Sequence, residues 1–356
     1  SHGSRTKYDL ADDLTGKTYI VTGATSGIGQ ATAEGLSRRN ARVIMACRNR
    51  EKCVETRADI VSETGNKQVY CRQCDLSHFD SIVAFVSKLS KGKLELDRID
   101  GVVHNAAVME AERKENKDGI ESTLATNHLG AFLMTGLLLE KLKAQPHPVR
   151  LVFVNHNFSM ATMSLDFANL NEELRPEEPT SDEEKARPKE WDPYKAYRRS
   201  KLAEAMFARD LADKLNNSNI SVTMAVPGWA FTNLTAPLDE QLFVISRWLL
   251  ERVNYLVGEG RVANAVRPVL YAVADPEMEG KNGVFINRER VEQEWGHHVD
   301  EDEGRNMLWE ESEKWTRFAD RLSALNRSIS GDQSTKTSHF QAVETKPGRS
   351  WRTLWL

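Results

Sequence analysis

The residues best suited to proton chemistry are Tyr197 and Lys201 in "AYRRSKLAEAMF" (196–207). Four residues apart, they share one face of a helix. The helix start is legible in Asp192, a capping residue, and Pro193, which suits a first turn. A free phenol titrates near ~10. An ammonium ion about 4 Å away contributes roughly 4 kcal/mol at an effective dielectric of 20, before desolvation is subtracted. The spacing therefore predicts a phenol drawn down toward the range useful for general acid–base work. Taken alone, Y-x-x-x-K is common, and an aromatic helix residue beside a surface lysine accounts for it as well.

A second group of residues supplies a partner for that chemistry. "TYIVTGATSGIGQATAEGLSRRNARVIMACR" places Gly23, Gly27 and Gly29 between a strand and a helix, followed by a second strand. Glycines there let the chain turn tightly and let backbone N–H groups approach a pyrophosphate, helped by the positive end of the helix. The candidate contacts are Thr22, Gly23, Thr25, Ser26, Gly27, Ile28 and Gly29. A glycine pattern by itself is weak evidence; this one has the strand–turn–helix context that a dinucleotide site requires. The second strand ends in Ala46-Cys47-Arg48-Asn49, with no acidic group to grip ribose hydroxyls. Arg48 favours a 2′-phosphate, because a guanidinium makes charge-assisted forks with phosphate oxygens. The expected cofactor is NADP(H).

The elements that must hold these residues follow from apolar runs. Stretches 18–23, 41–47, 68–73, 99–105, 149–155, 220–227 and 283–287 read as strands. Amphipathic patterns at 27–39, 50–64, 78–90, 118–143, 195–215 and 260–274 read as helices between them. Strand–helix alternation predicts one α/β domain, a Rossmann-type doubly wound parallel sheet of about seven strands with helices on both faces. That domain is expected over residues 16–326. Leu308, Trp315, Phe318 and Leu322 fall at helical spacing and predict a C-terminal helix docked on the body. Residues 164–192 are acidic, contain three prolines and read as an inserted surface loop. Residues 327–356 read as a disordered tail.

Composition excludes several classes. A net charge of −4 gives no basis for nucleic-acid binding, and no apolar run approaches the ~18 residues needed to span a bilayer. The opening "SHGS" reads as an expression scar on an arm covering residues 1–15, which leaves room for a native anchor or signal before it. Cys71 and Cys74 form a C-x-x-C, but no second pair or histidine stands at ligand spacing, so no metal is expected. Strand residues three apart point to opposite faces. Reduced cysteines in a cytoplasmic or cytosol-facing, peripherally membrane-associated domain are the expectation.

Several motifs in order identify a family. "TGATSGIG" (22–29), "ACR" (46–48), "CDLS" (74–77), "HNAAVM" (104–109), "TNHLGAFLMT" (126–135), "AYRRSKLAEAMF" (196–207) and "VPGWAFT" (226–232) resemble the short-chain dehydrogenase/reductase family, in its retinol-dehydrogenase-like branch. The resemblance runs from about Gly16 to Leu325. It implies that Asp75 and Leu76 lie on the adenine side and that Asn105 and Ala106 line the cofactor trough. Pro227, Gly228, Trp229 and Thr232 would flank the nicotinamide. Tyr197 and Lys201 would be the catalytic pair, also holding the nicotinamide ribose, with Asn127 supporting a proton-relay water. The implied substrate is a small hydrophobic carbonyl or alcohol, such as a retinoid or steroid.

Two departures stand out. The family's Asn-Asn-Ala-Gly is His104-Asn105-Ala106-Ala107 here, a change expected to adjust the central strand without abolishing binding. The fifth strand of the family ends in two serines, the second of which hydrogen-bonds the substrate oxygen and the tyrosine. In "RLVFVNHNFSM" those positions fall on Asn155 and His156. Three readings stay open: His156 takes over the role, since imidazole can donate or accept a hydrogen bond; Ser159 reaches in from the following loop; or the chain binds NADP(H) without efficient turnover, as a regulatory or scaffold protein. Losing a preorganised donor typically costs about a hundred-fold to a thousand-fold in rate. The apolar segment 233–260 reads equally as a lid over a pocket and as a helix packed on the core or on a second subunit of a homodimer. For the tail ending "SWRTLWL", a free end, a partner, a membrane surface and the chain's own pocket all stay open.

Overall fold

The computed structural model describes residues 13–91, 95–155, 164–172, 191–227 and 264–331. The seven expected strands form: β1 (Thr18–Thr22), β2 (Arg42–Cys47), β3 (Val69–Gln73), β4 (Gly101–His104), β5 (Val149–Val154), β6 (Ile220–Ala225) and β7 (Val284–Ile286). They are parallel, in the order 3-2-1-4-5-6-7, and an eighth strand, β8 (Glu292–Gln293), closes the edge antiparallel to β7. β8 is two exposed polar residues, so no apolar run marked it. The strand order reverses between β1 and β4, and in such sheets ligands bind beyond the carboxyl ends of the strands at that point.

Near-continuous apolar strands follow from burial on both faces. In β1, Ile20 faces one core while Tyr19 and Val21 face the other. One face is covered by α1 (Gly27–Ser37), α2 (Arg50–Thr64) and, late in the chain, α7 (Arg267–Ala274). The other holds α3 (Phe79–Ser90), α5 (Gly130–Lys143) and α6 (Pro193–Lys214). Before α5, the short α4 (Ser122–Leu124) runs into a π-helical turn at Ala125–Leu129. Asp192 caps α6 by accepting from the Lys195 N–H at 3.0 Å, and Pro193 occupies the first turn, as expected.

The C-terminal region differs from the single helix its apolar spacing suggested. After α8 (His297–Asp300), the chain forms α9 (Asp302–Trp315) and α10 (Phe318–Ser330). Arg317, at φ 44°, breaks the run between them. Phe318, Leu325 and Ile329 bury against the α3–α5 face, and Lys91 Nζ donates to Ser328 O at 2.6 Å, so the helix continues beyond residue 326. Cys71 and Cys74 lie on opposite sides of the sheet, Cys74 in one core and Cys71 against the other. All four cysteines are free, and Cys53 Sγ donates to Cys47 Sγ at 2.7 Å.

Candidate active site

Beyond the carboxyl ends of β1 and β4 lies a groove of about 460 Å³. Its floor is the glycine turn: Gly23, Thr25, Ser26, Gly27 and Ile28 line it. Gly23 has φ +64°, and a Cβ there would come within 2.8 Å of Ala106 Cα. A Cβ on Gly29 would lie 2.3 Å from both Gly23 O and Asn105 Nδ2. Gly29 therefore sits behind the turn and allows it to close. Thr22 is also behind the groove: its Oγ1 accepts from the Asn105 and Ala106 N–H groups, both at 3.0 Å, and ties β1 to the chain after β4. Ser26 precedes α1 without a side-chain cap, leaving the first N–H groups of that helix for a ligand. These features fit a pyrophosphate: the backbone can come close and the helix end is positive.

Arg48, Asn49 and Lys52 line one end of the groove with Ala46 and Cys47. Asn49 accepts from the Lys52 N–H at 3.0 Å and caps the helix that carries Lys52. Lys52 went unnoticed in the sequence, although it stands four residues after Arg48 at the start of a helix. Asp75 and Leu76 also line the groove. Asp75 Oδ1 accepts from the Ser77 N–H at 3.0 Å and from its hydroxyl at 2.7 Å, which shapes the loop.

Asn105, Ala106, Val154, Asn155, Tyr197, Lys201 and Pro227 line the other end. Asn127 is fully buried behind the groove, not in it. Its Oδ1 accepts from the Val108 N–H at 2.8 Å, and its Nδ2 donates to Val108 O and Ser200 Oγ, each at 2.9 Å. The side chain fixes the Val108 segment, which lines the groove. The phenol departs from the expectation set by its spacing to Lys201. Burial pushes the Tyr197 hydroxyl above its usual range, and the charge of Glu204 pushes it the same way. Lys201 does not draw the phenol down as its spacing suggested. Its Nζ donates to Val154 O and to Glu204 Oε2, each at 2.9 Å. Glu204, one turn further along the same helix, carries no signal in the sequence that would mark it as buried.

Asn155, at the first of the two serine positions, donates from Nδ2 to Lys201 O at 2.8 Å and to Glu204 Oε2 at 3.0 Å. His156, Ser159, Gly228, Trp229 and Thr232 lie outside the described residues, as do most of the 164–192 loop, the 233–260 segment and the chain from 332 onward. His104 is buried in β4, its Nε2 2.9 Å from Thr135 Oγ1 and its ring stacked on Phe153 at 4.7 Å between centroids. Its substitution for asparagine thus lies under the groove. Among the described residues, no group of three or more metal-ligating side chains comes together, and no helix is long and apolar enough to cross a membrane.

Comparison with known proteins places this geometry. The short chain dehydrogenase family model matches residues 17–164. Mouse retinol dehydrogenase 13 is 34% identical over 306 residues, covering 86% of this chain and 85% of the relative. The chain belongs to the short-chain dehydrogenases. Within them it falls in the retinol-dehydrogenase-like branch: human retinol dehydrogenase 14 is 31% identical, covering 84% of this chain and 85% of the relative. Bovine dehydrogenase/reductase SDR family member 13 is 32% identical, covering 85% and 73%. A solved structure from Mycobacterium paratuberculosis superposes with a TM-score of 0.64 at 26% identity, over 88% of this chain and 97% of the other. A short chain dehydrogenase of Shigella flexneri complexed with NADP has the same fold, with a TM-score of 0.56 at 21% identity over 79% and 100% of the two chains.

Proposed function

We propose that this short-chain dehydrogenase is an NADP(H)-dependent oxidoreductase acting on a hydrophobic carbonyl or alcohol of the retinoid or steroid kind. The observation that carries the reading is that Tyr197 and Lys201 line the same groove as the glycine turn and Arg48. Arg48 and Lys52 would hold a 2′-phosphate, and the open N-terminus of α1 the pyrophosphate. When bound, a nicotinamide supplies or accepts the hydride. Tyr197 Oη gives a proton to the substrate oxygen as a carbonyl is reduced, or takes one as an alcohol is oxidised. Lys201 Nζ, anchored to Val154 O, keeps a donor for the groove. The retinol dehydrogenase names of the relatives support the substrate class.

A second reading, an NADP(H)-binding regulatory or scaffold protein without turnover, is favoured by one observation. Of the two positions where the family has serines, the second, which makes the substrate contact, is His156 in this sequence, and the first, Asn155, has its amide bound to Glu204 and the α6 backbone. The two readings separate in one experiment: NADPH oxidation with retinaldehyde, steroid ketones and aromatic aldehydes, in the native sequence, Tyr197→Phe and His156→Ser. The oxidoreductase reading expects turnover that falls at least about a hundred-fold in Tyr197→Phe. Tight NADPH binding with no turnover in the native sequence, and turnover gained in His156→Ser, would favour the second.

A further inference from the structure

Lys201 and Glu204 form an ion pair that the proposed chemistry does not call for. Both side chains are almost completely buried, at 2% and 1% exposure, and Nζ lies 2.9 Å from Oε2. Isolated buried charges are costly, so such a pair persists where its geometry and surrounding hydrogen bonds hold it. Here three hydrogen bonds hold it. Val154 O accepts from Nζ, Asn155 Nδ2 donates to Oε2 at 3.0 Å, and the same amide donates to Lys201 O. Glu204 Oε1 is buried with no hydrogen-bond partner. The carboxylate is therefore turned toward Lys201 and Asn155, the two residues that join α6 to the end of β5.

We propose that Glu204 is a positioning residue of the proton-transfer site: it seats Lys201 against β5 and offsets its charge, so the carboxylate, and not Lys201 alone, governs when Tyr197 releases its proton. This rests on the oxidoreductase reading for its purpose, but not for its physical content. A negative charge held beside the lysine weakens the lysine's pull on a nearby phenol. Glu204 itself is pushed up to about 7 by burial, against the opposing pull of Lys201. Its protonation near neutrality would uncover the lysine charge. Among the described residues, the titratable groups around it are Lys201 and Tyr197 on its own helix and His104 on β4, which senses Lys201. Among the described residues, His128 lies in the π-helical turn packed on α6. Burial holds both histidines far below their usual range, so they stay neutral where Glu204 titrates.

The test is a direct titration of Tyr197 in the cofactor-free full chain, read from the tyrosinate absorbance difference between each protein and its Tyr197→Phe counterpart. Glu204→Gln is expected to lower the Tyr197 midpoint by about one pH unit, and Glu204→Asp to move it less. In a folded Glu204→Gln protein, an unchanged or raised midpoint would overturn the proposal. A purely structural glutamate would lower stability without moving it. If Glu204→Gln does not fold, the native sequence still decides. With carbon-13 at the tyrosine ζ position, the Tyr197 signal must show a step near neutral pH as Glu204 ionises, and absence of that step overturns the proposal. Neither readout uses substrate or cofactor. A shifted midpoint without turnover on any substrate supports the role of Glu204 and counts only against the oxidoreductase reading.

Discussion

Replacing His104 by glutamine should make the protein less sensitive to acid, by an amount that its burial sets. The imidazole is fully enclosed between Thr135 and Phe153, and burial, helped by the charge of Lys201, lowers its pKa from 6.5 to about 3. A folded-state value below the unfolded one gives stability that is present above 6.5 and lost as pH falls toward 3. Between pH 7 and pH 5 the unfolded chain takes up nearly one proton at this position and the folded chain none, a loss of about 2 kcal/mol. His128 is in the same state and adds a similar amount. Glu204 works the other way, since its raised pKa makes the folded state gain stability as pH falls through about 7. Both of those contributions remain in the variant and cancel in the comparison. Urea unfolding at the two pH values should show the native sequence losing about 2 kcal/mol more than His104→Gln across that interval. Glutamine can keep a hydrogen bond to Thr135, and any uniform loss of stability drops out. Equal losses in the two proteins would refute the assignment of His104 as a neutral buried imidazole. The functional link is direct, because His104 immediately precedes Asn105, which lines the groove.

Other consequences follow from the groove. Gly29→Ala places a methyl 2.3 Å from Gly23 O, a backbone atom that cannot move without opening the turn, so NADPH affinity by fluorescence titration should fall at least about a hundred-fold. Gly65→Ala is its control: at φ +74° but with nothing within 4 Å, it should cost about 1 kcal/mol in thermal unfolding and leave NADPH binding unchanged. Arg48→Gln should weaken NADPH by about ten- to a hundred-fold and NADH by much less, as the loss of one charge-assisted contact to a phosphate requires.

The sheet was legible because each parallel strand is apolar on both faces and each helix between them is amphipathic. The edge strand β8 and the break at Arg317 were not. One has no apolar residues, and the other interrupts an apolar spacing that runs on undisturbed from Trp315 to Phe318. In the groove, the glycine turn and Arg48 could be read because their residue types are rare in that setting. Lys52 and Glu204 could not, because a lysine or glutamate in a helix usually faces water. Only the fold places one on the groove and buries the other against Lys201. Asn127 was recognised by its motif, but its partners, Val108 and Ser200, come from segments that only the tertiary structure brings together.

The most direct test of the central claim follows a deuteride. NADPH carrying deuterium at the nicotinamide C4 would be incubated with the protein and a panel of hydrophobic aldehydes and ketones, and the alcohol products weighed by mass spectrometry. The oxidoreductase account predicts one deuterium on the carbinol carbon with the native sequence and at least about a hundred-fold slower labelling with Tyr197→Phe. Labelling at the same rate in both proteins would contradict the role given to Tyr197. NADPH bound in the groove with no labelled product from any of the panel would contradict the account itself.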